Sequence, residues 1–385
     1  MADSRRPRRR TTGASSSRSH APRLASIELD LRHRKTRRIC PLLRASNLIV
    51  FCTFFLTLFS FKYQSFGDNP SWVKVGYYYS DNEVSTSDIK ATLFTHLLCA
   101  FAFINTTIYN IFINSSEEQK FYTFTSTVKL QNPSVSTLLS IQGGTEDFLV
   151  FTSMLNRSSY MKLFIDSYIR TVRFYGFHGI DLTGAEPSSE VANFGTLLKE
   201  WHAAITSEAI NSTKPELLLV MVSYYLKALD SLSYPFESMQ ENLDWVHFMS
   251  YDYYLPKVAN STIFHAALYG SSDWDNTDSG IREWRRRGFS SKKLLIGLPY
   301  HGYAWKLVTP AANSGVGTPA SGPTITMDGS VGYKFIKSYI KSFGNGVVSR
   351  YNASFVMNQF TVASITWVNF DDVEVSREVS ITVTV

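Results

Sequence analysis

Short apolar runs alternate with longer stretches of helical periodicity from Trp72 to Val385. The apolar runs are short and alternate with the helical segments, which is typical of strands buried in a parallel sheet. These runs are Val73–Tyr79, His96–Ile104, Ser136–Ile141, Gly179–Thr183, Leu217–Tyr224, Trp245–Ser250 and Lys293–Leu298. The helical segments between them include Ser115–Val128, Tyr160–Tyr175, Glu190–Glu208 and Ser279–Arg287. This alternation predicts an α/β fold, a (β/α)₈ TIM barrel rather than an open sheet, with active residues at the carboxyl ends of the strands.

The first 71 residues follow a different pattern. Residues 1–44 are rich in Arg, Ser and Pro and too poor in apolar residues to form a core, which predicts a disordered basic arm. Residues 45–61 carry no charge and contain the apolar run Leu48–Phe61, and residues 62–71 would form a linker. An uncharged stretch of this length matches a signal-peptide core and is slightly shorter than the ~20 residues that span a bilayer.

Three interpretations of residues 45–61 are open. The stretch is a signal-anchor, a cleaved signal peptide behind a long leader, or a buried segment preceded by a basic nuclear-localisation run. Its unbroken aromatic character fits lipid better than an amphipathic element, which favours the first two. Because the basic flank comes first, we expect a cytosolic N-terminus and a secretory-pathway protein, either single-pass in the membrane or extracellular after cleavage. Six Asn-x-Ser/Thr sites give weak support for glycosylation in that pathway: Asn105, Asn114, Asn156, Asn211, Asn260 and Asn352.

Charge is distributed unevenly along the chain. Residues 1–50 hold thirteen Lys/Arg and three Asp/Glu, whereas the remainder holds 25 basic and 29 acidic residues. The net charge of +6 therefore belongs to the arm, and no nucleic-acid partner is predicted. Three cysteines exclude a disulfide-rich scaffold and a Cys-based zinc cluster. The sequence contains no metal-ligand spacing, phosphate-binding loop or Ser/His/Asp order, so neither a metal nor a cofactor is predicted.

Tyr175–Pro187 is the most informative stretch. It resembles the fourth-strand signature of glycoside hydrolase family 18, the chitinases, and in particular the plant class V branch. That signature reads Asp-Gly-x-Asp-x-Asp-x-Glu and typically ends as Trp-Glu-Tyr-Pro. Segments that resemble the first, second, third, sixth and seventh strands follow the family's order: Trp72–Tyr79, Leu93–Phe103, Thr137–Gly144, Leu243–Asp252 and Gly297–Trp305. The resemblance implies a chitinase-like barrel over residues 72–385, with a small α+β insertion at about residues 305–366.

The resemblance also implies a mechanism that this chain does not fully retain. In the family, the Glu protonates the glycosidic oxygen, and the preceding Asp orients the substrate's N-acetyl group, which acts as the nucleophile. Alternate residues of a strand share a face, so these carboxyls line the barrel mouth. The chain keeps Asp181, but Thr183 and Ala185 occupy the next Asp position and the acid position. Because alanine cannot donate a proton and a general acid contributes about 10²–10⁴-fold, we expect normal hydrolysis to be lost.

Glu186 is a candidate for a substitute acid. It is one residue beyond the acid position, and regular alternation would direct it away from Asp181. A bulge after Gly184 would turn it inward, although Pro187 does not supply one. Alternation therefore favours a Glu that is solvated or paired outside the barrel, and an active hydrolase that uses Glu186 is the alternative.

The binding residues of the family are better retained. Met249, Tyr251 and Asp252 match positions that, in the family, hold the acetamido group beside the scissile bond. The other binding candidates are the retained carboxylate and three aromatic residues that could stack on sugar rings: Asp181, Tyr77, Tyr303 and Trp305. The expected ligand is chitin or an oligosaccharide of N-acetylglucosamine.

The last residues give a further expectation. Trp367–Asp372 resembles the family's Trp-x-x-Tyr-Asp-Asp segment, and the family continues through a helix, an eighth strand and a last helix. The barrel is therefore predicted to be incomplete at the eighth strand. The leading hypothesis is a chitinase-like protein that binds chitin without hydrolysing it normally. The alternatives are an active hydrolase and a non-functional truncated product.

Overall fold

The computed structural model describes residues 72–79, 84–142, 147–185, 190–225, 234–271, 273–311, 314–343 and 347–382. Its larger sheet contains seven parallel strands, numbered here in chain order: β1 (Val75–Tyr79), β2 (His96–Ile104), β3 (Ser136–Gln142), β4 (Gly179–Thr183), β5 (Leu218–Ser223), β6 (Trp245–Phe248) and β7 (Leu294–Ile296). They pair in that order, and a two-residue strand, Ile111–Phe112, pairs antiparallel with β2. Within the described residues β1 and β7 do not pair with each other, so the curled sheet has two ends.

Helices connect these strands and cover the outside of the sheet. They are α1 (Glu118–Gln131), α2 (Asp147–Leu155), α3 (Ser158–Phe174), α4 (Val191–Ser212), α5 (Phe236–Asn242) and α6 (Thr277–Arg286). The α/β fold predicted from the alternation is confirmed, and every predicted strand lies within two residues of its observed bounds. The short helices α2 and α5 were not predicted from the pattern.

The alternation of side chains along each strand separates two apolar layers. Residues such as Leu139 and Ile180 point outward and pack with buried helix residues that include Phe164 and Trp201. The inner face has its own cluster, formed by Val75, Leu98, Leu138, Val220 and Trp245. Asp181 is also on the inner face, because it lies two residues after Gly179, which pairs with the inward-facing Leu138. The barrel interior is therefore apolar below this aspartate and polar at its level.

A second, antiparallel sheet follows β7. Its strands are β8 (His301–Leu307), β9 (Ala320–Pro323), β10 (Ser330–Gly332), β11 (Arg350–Asn352), β12 (Met357–Val362) and β13 (Thr366–Phe370). One face packs on α7 (Tyr333–Phe343) through residues such as Ile336 and Phe360. The other face packs against Met249 and Tyr251, in the loop that follows β6. An α+β insertion is thus present, and it forms a wall beside the carboxyl ends of the parallel strands. Its sheet begins at His301 and ends at Phe370, a few residues outside the predicted bounds of about 305–366. A final helix, α8 (Val373–Thr382), follows it.

No helix in the described ranges is long and apolar enough to cross a bilayer. The predicted anchor or signal peptide, residues 45–61, lies outside those ranges. All six candidate glycosylation sites lie within them. The side chains of Asn114, Asn156, Asn211 and Asn260 are exposed, and those of the other two sites are half-buried.

Candidate functional site

Asp181 lies near the carboxyl end of β4 and is completely buried. Its Oδ2 accepts three hydroxyl hydrogen bonds, from Tyr77 at 2.9 Å, Ser140 at 2.6 Å and Thr183 at 3.0 Å. Ser140 is its partner across the β3–β4 pairing, and Thr183 is the next residue on the same face of β4. Burial raises the pKa of Asp181 to about 6, although the three hydrogen bonds oppose this. The carboxyl is therefore enclosed by hydroxyls and easier to protonate than a solvated aspartic acid.

His247 on β6 completes the surroundings of this aspartate. Its Nε2 accepts a hydrogen bond from the indole Nε1 of Trp245 at 3.2 Å and lies 3.7 Å from Asp181 Oδ1. Burial lowers the pKa of His247 to about 3, so the imidazole is neutral and does not form an ion pair with the carboxyl. Asp181 Oδ1 has no hydrogen-bond partner within the described part of the chain. These uncharged neighbours are consistent with the raised pKa of Asp181, because none of them is a cation that would stabilise the carboxylate.

The chain leaves the strand alternation directly after β4. Gly184 has φ +85°, a left-handed conformation that glycine adopts readily. Ala185 is buried in the outer apolar cluster, together with Leu182 and Tyr234, and its carbonyl accepts the Tyr234 hydroxyl at 3.3 Å. Regular alternation would have put Ala185 on the face of Asp181, and the turn at Gly184 is the reason that it does not. Glu186 lies outside the described residues.

Met249 and Tyr251 lie in the loop after β6, and both are buried against the second sheet. The Tyr251 hydroxyl has no hydrogen-bond partner among the residues that the structure describes. Burial raises the pKa of this phenol well above its usual value, so the group is an O–H donor at neutral pH. A buried hydroxyl without a partner is a natural contact point for a ligand carbonyl.

Asp252, next in the chain, is surrounded by imidazoles. Its Oδ1 lies 2.8 Å from His301 Nε2 and 3.4 Å from His265 Nδ1. Burial opposes ionisation of Asp252, but the two histidine side chains outweigh it and hold the pKa of the carboxyl below its usual range. The backbone of Asp252 is left-handed, with φ +61°, which is uncommon outside glycine and frequent at functional positions.

The three predicted stacking aromatics have different surroundings. Tyr77 is engaged with Asp181. Tyr303 is buried beside the two histidines, with ring centroids 5.1 Å from His265 and 5.5 Å from His301. Trp305 is completely buried and packs edge-on against Trp367 with centroids 6.4 Å apart. In this arrangement Trp305 is a support for the wall and does not present a ring face to a sugar.

The sequence reasoning did not select four residues that the fold brings to this site. Ser140 and His301 lie inside segments that resemble strands of the family, and His247 lies on a predicted strand. The two-residue alternation of side chains along these strands was the signal that could have identified them. His265 lies in a segment without a motif, and only the tertiary structure puts it beside Asp252.

Comparisons with known proteins agree with this architecture. The model of the family described as "Glycosyl hydrolases family 18" matches residues 73–382. A class V chitinase from Arabidopsis thaliana is 42% identical over 329 residues, which are 85% of this chain and 84% of that protein. A mutant class V chitinase from Nicotiana tobaccum, solved in complex with NAG4, has a TM-score of 0.77 at 38% identity, covering 81% of this chain and 90% of that one. A chitinase-like agglutinin from Robinia pseudoacacia has a TM-score of 0.74 at 35% identity, covering 80% and 90%.

Proposed function

Because the chain belongs to glycosyl hydrolases family 18, we propose that it binds chitin or N-acetylglucosamine oligosaccharides without the family's normal hydrolysis. The observation that carries the proposal is the inner face of β4. In its described residues the only carboxyl there is that of Asp181, which is completely buried and bound by three hydroxyls. A general acid must come within hydrogen-bond reach of the glycosidic oxygen, and an enclosed carboxyl does not meet that requirement.

The opposite side of the mouth supports binding. The unpartnered Tyr251 hydroxyl and the ionised Asp252 offer a donor and an acceptor that an acetamido group would complement. A buried donor left without a partner costs about 1–3 kcal/mol, which a ligand carbonyl would recover. The structural relative from Nicotiana tobaccum was solved with NAG4, which makes a chito-oligosaccharide the first ligand to test.

Isothermal titration of the full chain with an N-acetylglucosamine tetramer tests this proposal. We expect binding by the wild type and a roughly 3- to 10-fold weaker affinity for Tyr251→Phe, because the variant loses one hydrogen-bond donor. Tyr122→Phe is the matched control, since Tyr122 is exposed on α1. Absence of binding at millimolar tetramer, or an equal loss in both variants, would contradict the proposal.

One observation favours a second candidate, an active hydrolase that uses Glu186. Strict alternation was the argument against this residue, and the left-handed Gly184 with Ala185 in the outer cluster removes that argument. The test is product release from the tetramer by the wild type, Glu186→Gln and the nearby control Glu190→Gln. Turnover that is lost only in Glu186→Gln would establish this candidate, and no turnover in any of the three would eliminate it.

We also propose that the chain enters the secretory pathway through residues 45–61. The support is the basic flank followed by an uncharged apolar stretch, together with four exposed sequons. Translation with microsomes, followed by endoglycosidase digestion, would show a mobility shift if the barrel is translocated. An unshifted product that is fully digested by added protease would refute the proposal.

A further inference from the structure

Three side chains from separate segments converge beside the barrel mouth. Asp252 follows β6, His265 lies between β6 and α6, and His301 begins β8. One donor atom from each lies within 4.8 Å of the other two, and the closest pairs are the 2.8 Å and 3.4 Å contacts of Asp252 Oδ1. A tetrahedral zinc ion with bonds of about 2.0–2.2 Å needs donors roughly 3.3 Å apart. The two distances to Asp252 Oδ1, 2.8 Å and 3.4 Å, lie on either side of that value.

The donor set is also chemically suited to a metal. Two imidazoles and one carboxylate are a common set for Zn²⁺ and other divalent first-row metals, and three protein ligands leave a position for water or a ligand. Within the described residues no Lys or Arg forms an ion pair with Asp252, so no side-chain cation would compete with a metal ion for its carboxylate.

His265 provides a second, independent observation. Its side chain is completely buried, and neither ring nitrogen has a hydrogen-bond partner in the described ranges. A neutral imidazole carries one donor and one acceptor, so leaving both unmet in the interior is unfavourable. Coordination of Nδ1 to a metal would use the acceptor that faces Asp252 Oδ1.

The backbone holds these residues in place. The side-chain Oδ1 of Asn369, on β13, accepts a hydrogen bond from the backbone N–H of His265 at 3.1 Å. Asn369 also pairs with Tyr303, which places β8 next to β13. Gly302 allows the close approach of β8 and β13, because a Cβ there would lie 2.2 Å from the Asn369 carbonyl oxygen. The second sheet therefore carries one donor, His301, and holds the backbone of a second, His265, which helps to fix the geometry of a metal site.

We propose that Asp252, His265 and His301 bind one divalent transition-metal ion of the Zn²⁺ class. This goes beyond glycan binding, since the metal would bind in the absence of sugar. Without a metal, His301 Nε2 donates a hydrogen bond to Asp252 Oδ1, and with a metal both atoms would be ligands. Metal binding would replace that proton.

The test uses the full chain without a polyhistidine tag, freed of metal with a chelator. Zn²⁺ is titrated in competition with a chromophoric chelator, with no sugar present. We expect one equivalent per chain, and an affinity at least ~10-fold weaker for His265→Gln and His301→Gln, since loss of even an outer partner of a metal ligand costs about this much. His202→Gln is the matched control, because His202 is a half-buried histidine on α4 outside the cluster.

Co²⁺ provides a readout that does not depend on the folding of a variant. Bound to the wild type, it should show the intense visible absorption of a low-coordinate ion with nitrogen ligands, and Zn²⁺ should abolish it. A spectrum of hydrated Co²⁺ only, or equal Zn²⁺ affinity in the wild type and in folded His265→Gln, would overturn the proposal. Failure of sugar binding would not affect either measurement, so the two proposals fail separately.

Discussion

Two aspartates in the same barrel mouth have opposite electrostatic surroundings. Asp181 is enclosed by the hydroxyls of Tyr77, Ser140 and Thr183, and burial raises its pKa to about 6. Asp252 lies beside two imidazoles that hold its pKa below the usual range, and its side chain is 17% exposed. Neutral hydroxyls only partly offset the cost of burying a charge, whereas imidazole partners more than offset it.

The difference shows why a retained motif residue is a weak guide to chemistry. Asp181 is the signature carboxyl that survives in this chain, yet it is the less accessible of the two. Asp252 can meet a ligand or a metal as an anion. What each aspartate can do is set by the side chains that the fold brings to it, and the following changes test this contrast from the largest expected effect to the smallest.

The largest effect should come from rebuilding the end of β4. The triple variant Thr183→Asp, Gly184→Trp, Ala185→Glu restores the family pattern and removes the left-handed glycine, so we expect tetramer hydrolysis to rise about 10²-fold or more over the wild type. Ala185→Glu alone should give no such gain and should lower the free energy of unfolding by about 3 kcal/mol, because its carboxylate would enter the outer apolar cluster. Product release and urea denaturation measure the two outcomes. Equal activity of the single and triple variants would contradict the assigned role of Gly184.

The pH dependence of stability should reveal the proton on Asp181. With a folded pKa of about 6 and a reference value of 3.8, the folded state keeps the proton between these pH values while the unfolded state loses it. Wild-type stability relative to Asp181→Asn should therefore fall by about 2 kcal/mol as pH rises from 4 to 7. Urea denaturation across this pH range measures the difference in stability. Asp166→Asn is the control, because the side chain of Asp166 is exposed and forms a surface ion pair with Lys162. A difference that does not change with pH would show that the carboxyl is ionised throughout.

Zinc should stabilise the protein through the Asp252 cluster. A ligand that binds only the folded state at 100 times its dissociation constant adds about 2.7 kcal/mol. We expect Zn²⁺ to raise the melting temperature of the wild type and of His202→Gln, and to raise that of His265→Gln clearly less, because its affinity is expected to be at least ~10-fold weaker. Thermal denaturation by circular dichroism measures the shift. The same rise in all three proteins would indicate binding elsewhere.

The smallest effect concerns the hydroxyls around Asp181. Thr183→Val removes a donor to the carboxyl, so the pKa of Asp181 should rise further and the protein should lose about 1 kcal/mol of stability. Carboxyl titration by nuclear magnetic resonance and urea denaturation measure these changes. Thr123→Val, a control at a half-buried threonine on α1 whose hydroxyl donates to the Gln119 carbonyl, should not change the pKa of Asp181. An unchanged pKa would show that the hydroxyl donates elsewhere, and a lowered pKa would show that it accepts a hydrogen bond from the protonated carboxyl.

Strand and helix order was predictable from the sequence because it depends on local periodicity. The bounds of β2 and β4 agree with their apolar runs. The α+β insertion was predicted only through the resemblance to the family. The departure of Thr183 from the signature was also readable directly, since identity at a strand position needs no coordinates.

The surroundings of the key side chains were decided only in three dimensions. The left-handed turn at Gly184 moves Ala185 to the outer layer, because one residue with positive φ breaks the two-residue period on which facing predictions rest. His301 meets Asp252 across 49 positions of sequence through the pairing of the second sheet. The sequence by itself determined the α/β fold, the family and the alanine at the acid position of the signature. The tertiary structure decided which carboxyl has a raised pKa and which is paired with histidines, because burial and long-range packing set the pKa of a group and leave no local pattern in the chain.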